Sequence, residues 1–281
     1  MTGPFRSYSS YAYDGIELHV MDARSFLSYS SSAFYGFPSR RMRLAGVTGT
    51  NGKTTTVYLV HSIVSQQGPA LMIGTLGSVV GNETAYYQMT TPESPEIQKT
   101  LARGLRAGCE TGVLEVSSHS LFFKRVLDCH MKVAVFTNLS QDHLDFHDSL
   151  ESYLDTKSLL FRRSYNPGLE SSLINLDDPW GRRLLEKADG DTCTFGFSKS
   201  ADIYPVYFRS STRGIKMELR FFDRRLSLES PLVGRHNGYN IMAAAGAAAL
   251  LGIDDTAIPV SYTHLRAHET SLHLVCRLLL E

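Results

Sequence analysis

The stretch Gly46-Val47-Thr48-Gly49-Thr50-Asn51-Gly52-Lys53-Thr54-Thr55-Thr56 decides how this chain is read. An apolar run, Leu44 to Val47, leads into it, and Val57, Val60, Ile63 and Val64 follow it at helical spacing, with Gly68 placed to stop the helix. Strand, glycine-rich turn and helix in that order form a cradle for polyphosphate. Gly49 and Gly52 let the backbone curl so that successive N–H groups face a phosphate. The helix adds its positive end, and Lys53 reaches the outer oxygens. Thr54 offers a hydroxyl to Mg²⁺. A strict G-x-x-x-x-G-K-[ST] match needs glycine at position 47, where this chain has Val47, so the generic pattern fails by one residue while its chemistry survives. The plain alternative is a turn that merely ends a strand.

Outward from this turn, Gly112 to Val116 and Val133 to Phe136 read as buried strands, and Pro95 to Ala107 and Leu150 to Phe161 as helices. The alternation predicts an α/β fold, a mostly parallel sheet with helices on both faces. Ala201 to Ser230 alternates around Arg213-Gly214 and predicts an attached antiparallel hairpin. Ile241 to Leu251, rich in Ala and Gly, falls short of the roughly 20 residues that span a bilayer and reads as a buried helix of a soluble protein. Residues up to Arg41 show little periodicity and are too few for a core of their own.

Composition narrows the function. The chain has 281 residues, 43% of them hydrophobic, with 28 Lys plus Arg against 28 Asp plus Glu. A balanced charge gives no long-range field toward nucleic acid or an anionic membrane, so neither is an expected partner. Cys109, Cys129, Cys193 and Cys276 are widely spaced without a C-x-x-C pair, which fits free thiols in a reducing compartment. No secretory leader is visible in Met1 to Ser10, and a cytoplasmic location is expected.

Several residues carry candidate chemistry. Glu115 ends a strand where open α/β sheets present ligands, and would hold Mg²⁺ or else cap the turn through Ser117 and Ser118. Asp142, His143, Asp145, His147 and Asp148 crowd one loop, a density that suits a metal or phosphate site, although His147 by itself reads as structural or solvated. Lys157 by itself reads as a solvated helix lysine. Arg125 has a fork that suits a carboxylate or phosphate, or is a surface arginine. Asn237 suits a helix N-cap as well as a ligand contact.

Four blocks carry a family resemblance: Gly49 to Thr55, Thr90-Thr-Pro-Glu93, Leu114-Glu-Val-Ser-Ser-His-Ser-Leu121 and Thr137-Asn-Leu-Ser-Gln-Asp-His-Leu-Asp-Phe-His147. The first resembles the ATP loop of the Mur ligases and folylpolyglutamate synthases, and together they resemble the Mur ligases that add the third peptide residue. Gly234-Arg-His-Asn-Gly-Tyr-Asn240 is similar to a further block of the family, whose asparagines lie by the adenine.

The resemblance implies ATP and Mg²⁺ as cofactors, with Gly49, Thr50, Asn51, Gly52, Lys53, Thr54, Thr55, Asn237 and Asn240 at the nucleotide. It implies Thr54, Glu115, His143 and a carbamylated Lys157 at metal, and Lys53, Glu115, His143 and Lys157 in catalysis. Thr90, Thr91, Ser117 and Arg125 would bind UDP-MurNAc-L-Ala-D-Glu, to which diaminopimelate or lysine is joined through an acyl phosphate. Met89 and Phe123 depart from the polar residues that some members carry there. The implied organisation is a remnant of a UDP-binding domain at 1–41, the central ATP-binding domain at 42–258, and a tail at 259–281 that resembles translated adaptor sequence. A carboxy-terminal ligase domain is absent from that scheme, so little turnover is expected from a chain that would otherwise act as a monomer.

Overall fold

The computed structural model describes residues 9–13, 16–20, 22–141, 147–254 and 257–258. Ser9–Tyr13 (β1) and Ile16–Val20 (β2) pair as an antiparallel ribbon, and Ala23–Phe34 forms α1. The chain then enters β3 (Arg43–Thr48), α2 (Lys53–Val64), β4 (Ala70–Gly74), β5 (Gly77–Val80), β6 (Glu83–Ala85) and α3 (Ser94–Arg106). It continues through β7 (Thr111–Glu115), α4 (Ser118–Phe122), β8 (Val133–Phe136), α5 (Leu150–Ser158), β9 (Ser171–Asn175) and α6 (Pro179–Leu185). The last elements are β10 (Asp191–Phe195), β11 (Ile203–Ser211), β12 (Gly214–Phe221), β13 (Arg224–Ser230) and α7 (Arg235–Leu250).

Among the described residues β3 to β13 make one eleven-stranded sheet in the order β13-β12-β11-β10-β9-β8-β3-β7-β4-β5-β6. From β11 to β4 the pairs are parallel; beyond them, on both flanks, they are antiparallel. The predicted hairpin is therefore a three-stranded meander, and β5 and β6 form a second antiparallel edge that the sequence reading did not include. One sheet face is covered by α2 and α7, which bury Val57, Val60 and Ile63 beside Ile241, Ala244 and Ala248. The other is covered by a layer that includes Ile97 and Leu101 of α3 and Tyr153 and Leu154 of α5. The run at 241–251 is a buried helix because its alanines let α7 lie close on the sheet.

One local expectation is corrected. Helix α2 ends at Val64, where the Ser65 N–H donates to the His61 carbonyl, so Gly68 lies beyond its end rather than at it. In α1 the buried residues are Ser28, Ser31 and Ser32, while Leu27, Tyr29 and Phe34 are exposed. This inverted face hides the helix from any search for apolar periodicity. Asp22 caps α1 through the Arg24 and Ser25 N–H groups and pairs with Lys124, whose hydrogen bond holds the Asp22 carboxyl well below the usual carboxylate range. Among the described residues Cys109, Cys129 and Cys193 are free, and burial pushes the Cys129 thiol up to about 12. No described helix is long and apolar enough to cross a membrane.

Candidate active site

Strand β3 lies inside the parallel part of the sheet, between β7 and β8. The chain leaves it for β4 on one side and later crosses it to reach β8, so the connections diverge there, and a crevice opens beyond the carboxyl ends of the three strands. The turn at 49–52 occupies that crevice. Gly49 and Gly52 both take positive φ, 149° and 82°. A Cβ on Gly49 would overlap Thr137 Oγ1, and one on Gly52 would overlap Asn240 Oδ1. Glycine is required at these positions by conformation and by crowding together.

The segment after β8 holds the turn from behind. Thr50 N–H donates to the Asn138 carbonyl (2.8 Å), and Asn51 N–H to Asn138 Oδ1 (3.0 Å). Thr137 Oγ1 donates to the Asn51 carbonyl (2.7 Å), and Ser140 N–H to Thr50 Oγ1 (3.0 Å). Lys157 Nζ donates to the Gly49 carbonyl at 2.8 Å and lies 4.4 Å from the Tyr153 ring centroid. It is 1% exposed, so the solvated-helix reading of this lysine is overturned. Lys53 Nζ donates to the Thr50 carbonyl (2.8 Å).

Glu115, 2% exposed, faces the turn. Its Oε1 accepts from Thr54 Oγ1 at 2.9 Å, and its Oε2 accepts from Thr75 N–H and Thr75 Oγ1, each at 3.0 Å. The carboxylate does not cap the following helix: Ser117 does, accepting from Ser120 N–H. Charge-assisted bonds of this kind fix a carboxylate in place. The oxygen donors of Thr54 and Glu115, beside a phosphate cradle, fit a hard cation that keeps phosphate and water among its ligands, as Mg²⁺ does. Among the described residues no cluster of three His, Cys, Asp or Glu side chains stands ready for a metal.

From Glu115 the bonds run on to the other predicted contacts. Thr75 Oγ1, whose proton goes to Glu115, lies 3.1 Å from Thr90 Oγ1, and Thr91 Oγ1 donates to the Glu115 carbonyl (2.7 Å). Ser117 N–H donates to Thr91 Oγ1 (3.2 Å), and Arg125 Nη1 donates to the Thr91 carbonyl (3.2 Å). Arg125 Nε lies 2.7 Å from Glu93 Oε1, and its side chain is 14% exposed, which removes the surface-arginine reading.

On the opposite side of the turn a cavity of about 590 Å³ is lined by residues that include Asn51, Gly52, Thr55, Asn175, Asp177, Tyr239 and Asn240. That size suits a nucleoside. Residues 47–248 match the model of the Mur ligase middle domain. The chain belongs to the Mur ligase middle-domain family. A curated relative from Gloeobacter violaceus, named UDP-N-acetylmuramoyl-L-alanyl-D-glutamate–2,6-diaminopimelate ligase, is 46% identical over 241 residues, which are 86% of this chain and 49% of the relative. A Clostridium botulinum relative of the same name is 37% identical, over 87% of this chain and 50% of its own length. A solved structure of a protein with that name superposes with a TM-score of 0.77 at 30% identity, covering 86% of this chain and 50% of the other. Folylpolyglutamate synthase from Mycobacterium tuberculosis shares the fold, with a TM-score of 0.67 at 16% identity. The chain spans about half the length of the curated relatives it matches.

The Mur ligase domain thus brings together Gly49 to Thr55, Glu115, Lys157, Thr90, Thr91, Ser117, Arg125, Asn237 and Asn240 around one crevice. His143 lies outside the described residues. Asn237 is not an N-cap: Gly234 holds that position, and Asn237 Nδ2 donates to the Val233 carbonyl while its Oδ1 accepts from Asn240 Nδ2 (3.0 Å). His147 is buried and stacks on Tyr153 at 4.6 Å between centroids, which places it on the structural side of its two readings. Sequence reasoning missed Thr75, Asn175, Asp177 and Asp178, and gave no role to Asn138 and Tyr239 inside the quoted blocks. Asn175 ends β9 and Asp177 and Asp178 follow it at the carboxyl edge of the sheet, and recognising Ser171–Asn175 as a strand would have pointed to them.

Proposed function

We propose that these residues are the ATP-binding part of a ligase that joins diaminopimelate to UDP-MurNAc-L-Ala-D-Glu in peptidoglycan precursor synthesis. The observation that carries the reading is the Glu115 carboxylate beside Thr54 of the phosphate turn, hydrogen-bonded on its other oxygen to Thr75 and through it to Thr90. One acidic group thereby links the nucleotide cradle to the threonines assigned to the acceptor substrate. The names of the relatives support diaminopimelate over lysine.

In this reading the turn at 49–54 binds the triphosphate through backbone N–H groups, and Lys53 leaves Thr50 for the phosphate oxygens. Thr54 and Glu115 would hold Mg²⁺, with His143 and a carbamylated Lys157 for a second ion, as the family resemblance implies. The metal would neutralise charge on the transferring phosphoryl group. Thr90, Thr91, Ser117 and Arg125 orient the substrate carboxylate toward the γ-phosphate. The acyl phosphate so formed supplies the leaving group that an amine needs to make an amide. We further propose a division at 1–41, 42–258 and 259–281, a monomer and a cytoplasmic location. For residues 1–281 alone we propose nucleotide binding without ligase turnover, because orientation of the reacting groups is a large part of catalysis.

Assays of phosphate release and product mass with ATP, Mg²⁺, UDP-MurNAc-L-Ala-D-Glu and diaminopimelate test this. A chain extended to the relatives' length is expected to form the tripeptide, and residues 1–281 to form none. An extended chain that joins lysine instead, or nothing, would contradict the assignment.

A further inference from the structure

The cavity beside the phosphate turn has two unlike walls. One is the turn itself, already fixed by Asn138 and Ser140. The other is assembled from the segment after β9, the end of β10 and the first turns of α7, and Asp177 is where these meet. Its Oδ2 accepts from Phe197 N–H at 2.6 Å and from the Tyr239 hydroxyl at 2.9 Å, and its Oδ1 accepts from Ser198 N–H at 3.2 Å. Its own N–H donates to Asn175 Oδ1 (3.1 Å), and Asn175 Nδ2 donates to the Thr137 carbonyl (2.8 Å). The space is close-fitting: a Cβ on Gly196 would come within 2.9 Å of the Asp177 carboxylate.

What Asp177 holds is Tyr239 of the wall and the 197–198 turn, whose Phe197 packs against Tyr239. Tyr239 meets Phe197 edge to face at 4.9 Å, Phe197 meets Phe208 at 5.0 Å, and the Arg235 guanidinium lies 4.0 Å over Phe197. Burial, and next the Asp177 carboxylate, push the Tyr239 phenol upward, so at neutral pH Tyr239 is the donor in this pair. With three donors from two segments directed at it, the carboxylate is occupied by the protein. Its role is therefore to place other groups.

We infer that Asp177 is a positioning residue for the nucleoside half of the bound nucleotide, holding Tyr239 and the 197–198 turn at the spacing that base and ribose require. The inference rests on the nucleotide reading above. It goes beyond it by separating the two halves of the ligand. The phosphate turn keeps its own supports from Asn138, Ser140 and Lys157, so loss of Asp177 acts on the nucleoside and spares the phosphates.

Calorimetric titration of wild type, Asp177→Ala and Tyr239→Phe with ATP and with inorganic tripolyphosphate, both in Mg²⁺, tests this. Asp177→Ala is expected to weaken ATP about tenfold, since charge-assisted bonds are lost, and Tyr239→Phe about threefold, with tripolyphosphate affinity held within about twofold in both. A purely structural role would weaken both ligands in parallel, and that result would overturn the inference. So would unchanged ATP affinity in both variants. Tyr239→Phe keeps the ring and loses one hydroxyl, so it decides the matter if Asp177→Ala does not fold. Wild type that binds neither ligand would sink the nucleotide reading itself, whereas wild type that binds tripolyphosphate as tightly as ATP would sink only the role of Asp177.

Discussion

The two ends of the crevice are built on different principles. At the proposed phosphate end the working groups are backbone N–H donors of one short turn, and the residues that matter are glycines, a lysine and threonines in fixed order. At the proposed nucleoside end the wall is made of side chains from separate segments, joined by Asn175 and Asp177. A site made by backbone is written locally and can be read from eleven residues. A site made by distant side chains exists only once the sheet has formed.

This contrast predicts unequal responses to substitution. The largest belongs to Gly49→Ala, which combines a positive φ with overlap against Thr137 Oγ1. We expect a loss of about 2–5 kcal/mol in stability and no measurable ATP binding, read by denaturant unfolding and calorimetry. A variant of near wild-type stability that still binds ATP would show that the turn is not held as described. Asn175→Ala, on the other wall, removes two bonds from a residue that is 5% exposed. It should cost about 1–3 kcal/mol. A double substitution with Tyr239→Phe should then cost less than the sum of the singles, because both act on one network.

The smallest effect concerns Asp178, which caps α6 through the Trp180 and Gly181 N–H groups and also accepts from Leu139 N–H. Asp178→Ala should cost about 1 kcal/mol at neutral pH. Burial raises the Asp178 carboxyl above its usual range. The folded protein therefore keeps that proton to higher pH than the unfolded chain does. Its contribution is complete below the ordinary carboxylate range and is lost as pH rises through the raised value. Wild type should accordingly lose stability relative to Asp178→Asn as pH climbs from the acid side to neutral. A difference that stays flat would contradict this.

The same contrast explains what the sequence disclosed. Strand β8, the middle of β7 and the later turns of α7 were legible because apolar residues and glycine follow one another there without interruption, and the phosphate turn because its chemistry is local. Helix α1 was not legible, since its buried face is serine. Lys157 shows the limit of reading one residue at a time. Alone it is a solvated helix lysine, yet α5 carries it under the turn, 108 residues away along the chain, to the Gly49 carbonyl. Asn237 shows a second limit, because an asparagine near a helix start serves as a cap or three residues further in, and only the position of Gly234 separates the two.

The central claim is that the bend at 49–54 and Glu115 together hold a metal-bound triphosphate. Its most direct test is calorimetric titration of ATP into wild type, Lys53→Ala and Glu115→Ala, each with and without Mg²⁺. The account predicts tighter binding to wild type with Mg²⁺, a loss of about 10–100-fold in Lys53→Ala, and no Mg²⁺ dependence in Glu115→Ala. Equal binding by all three proteins, with or without the cation, would contradict it.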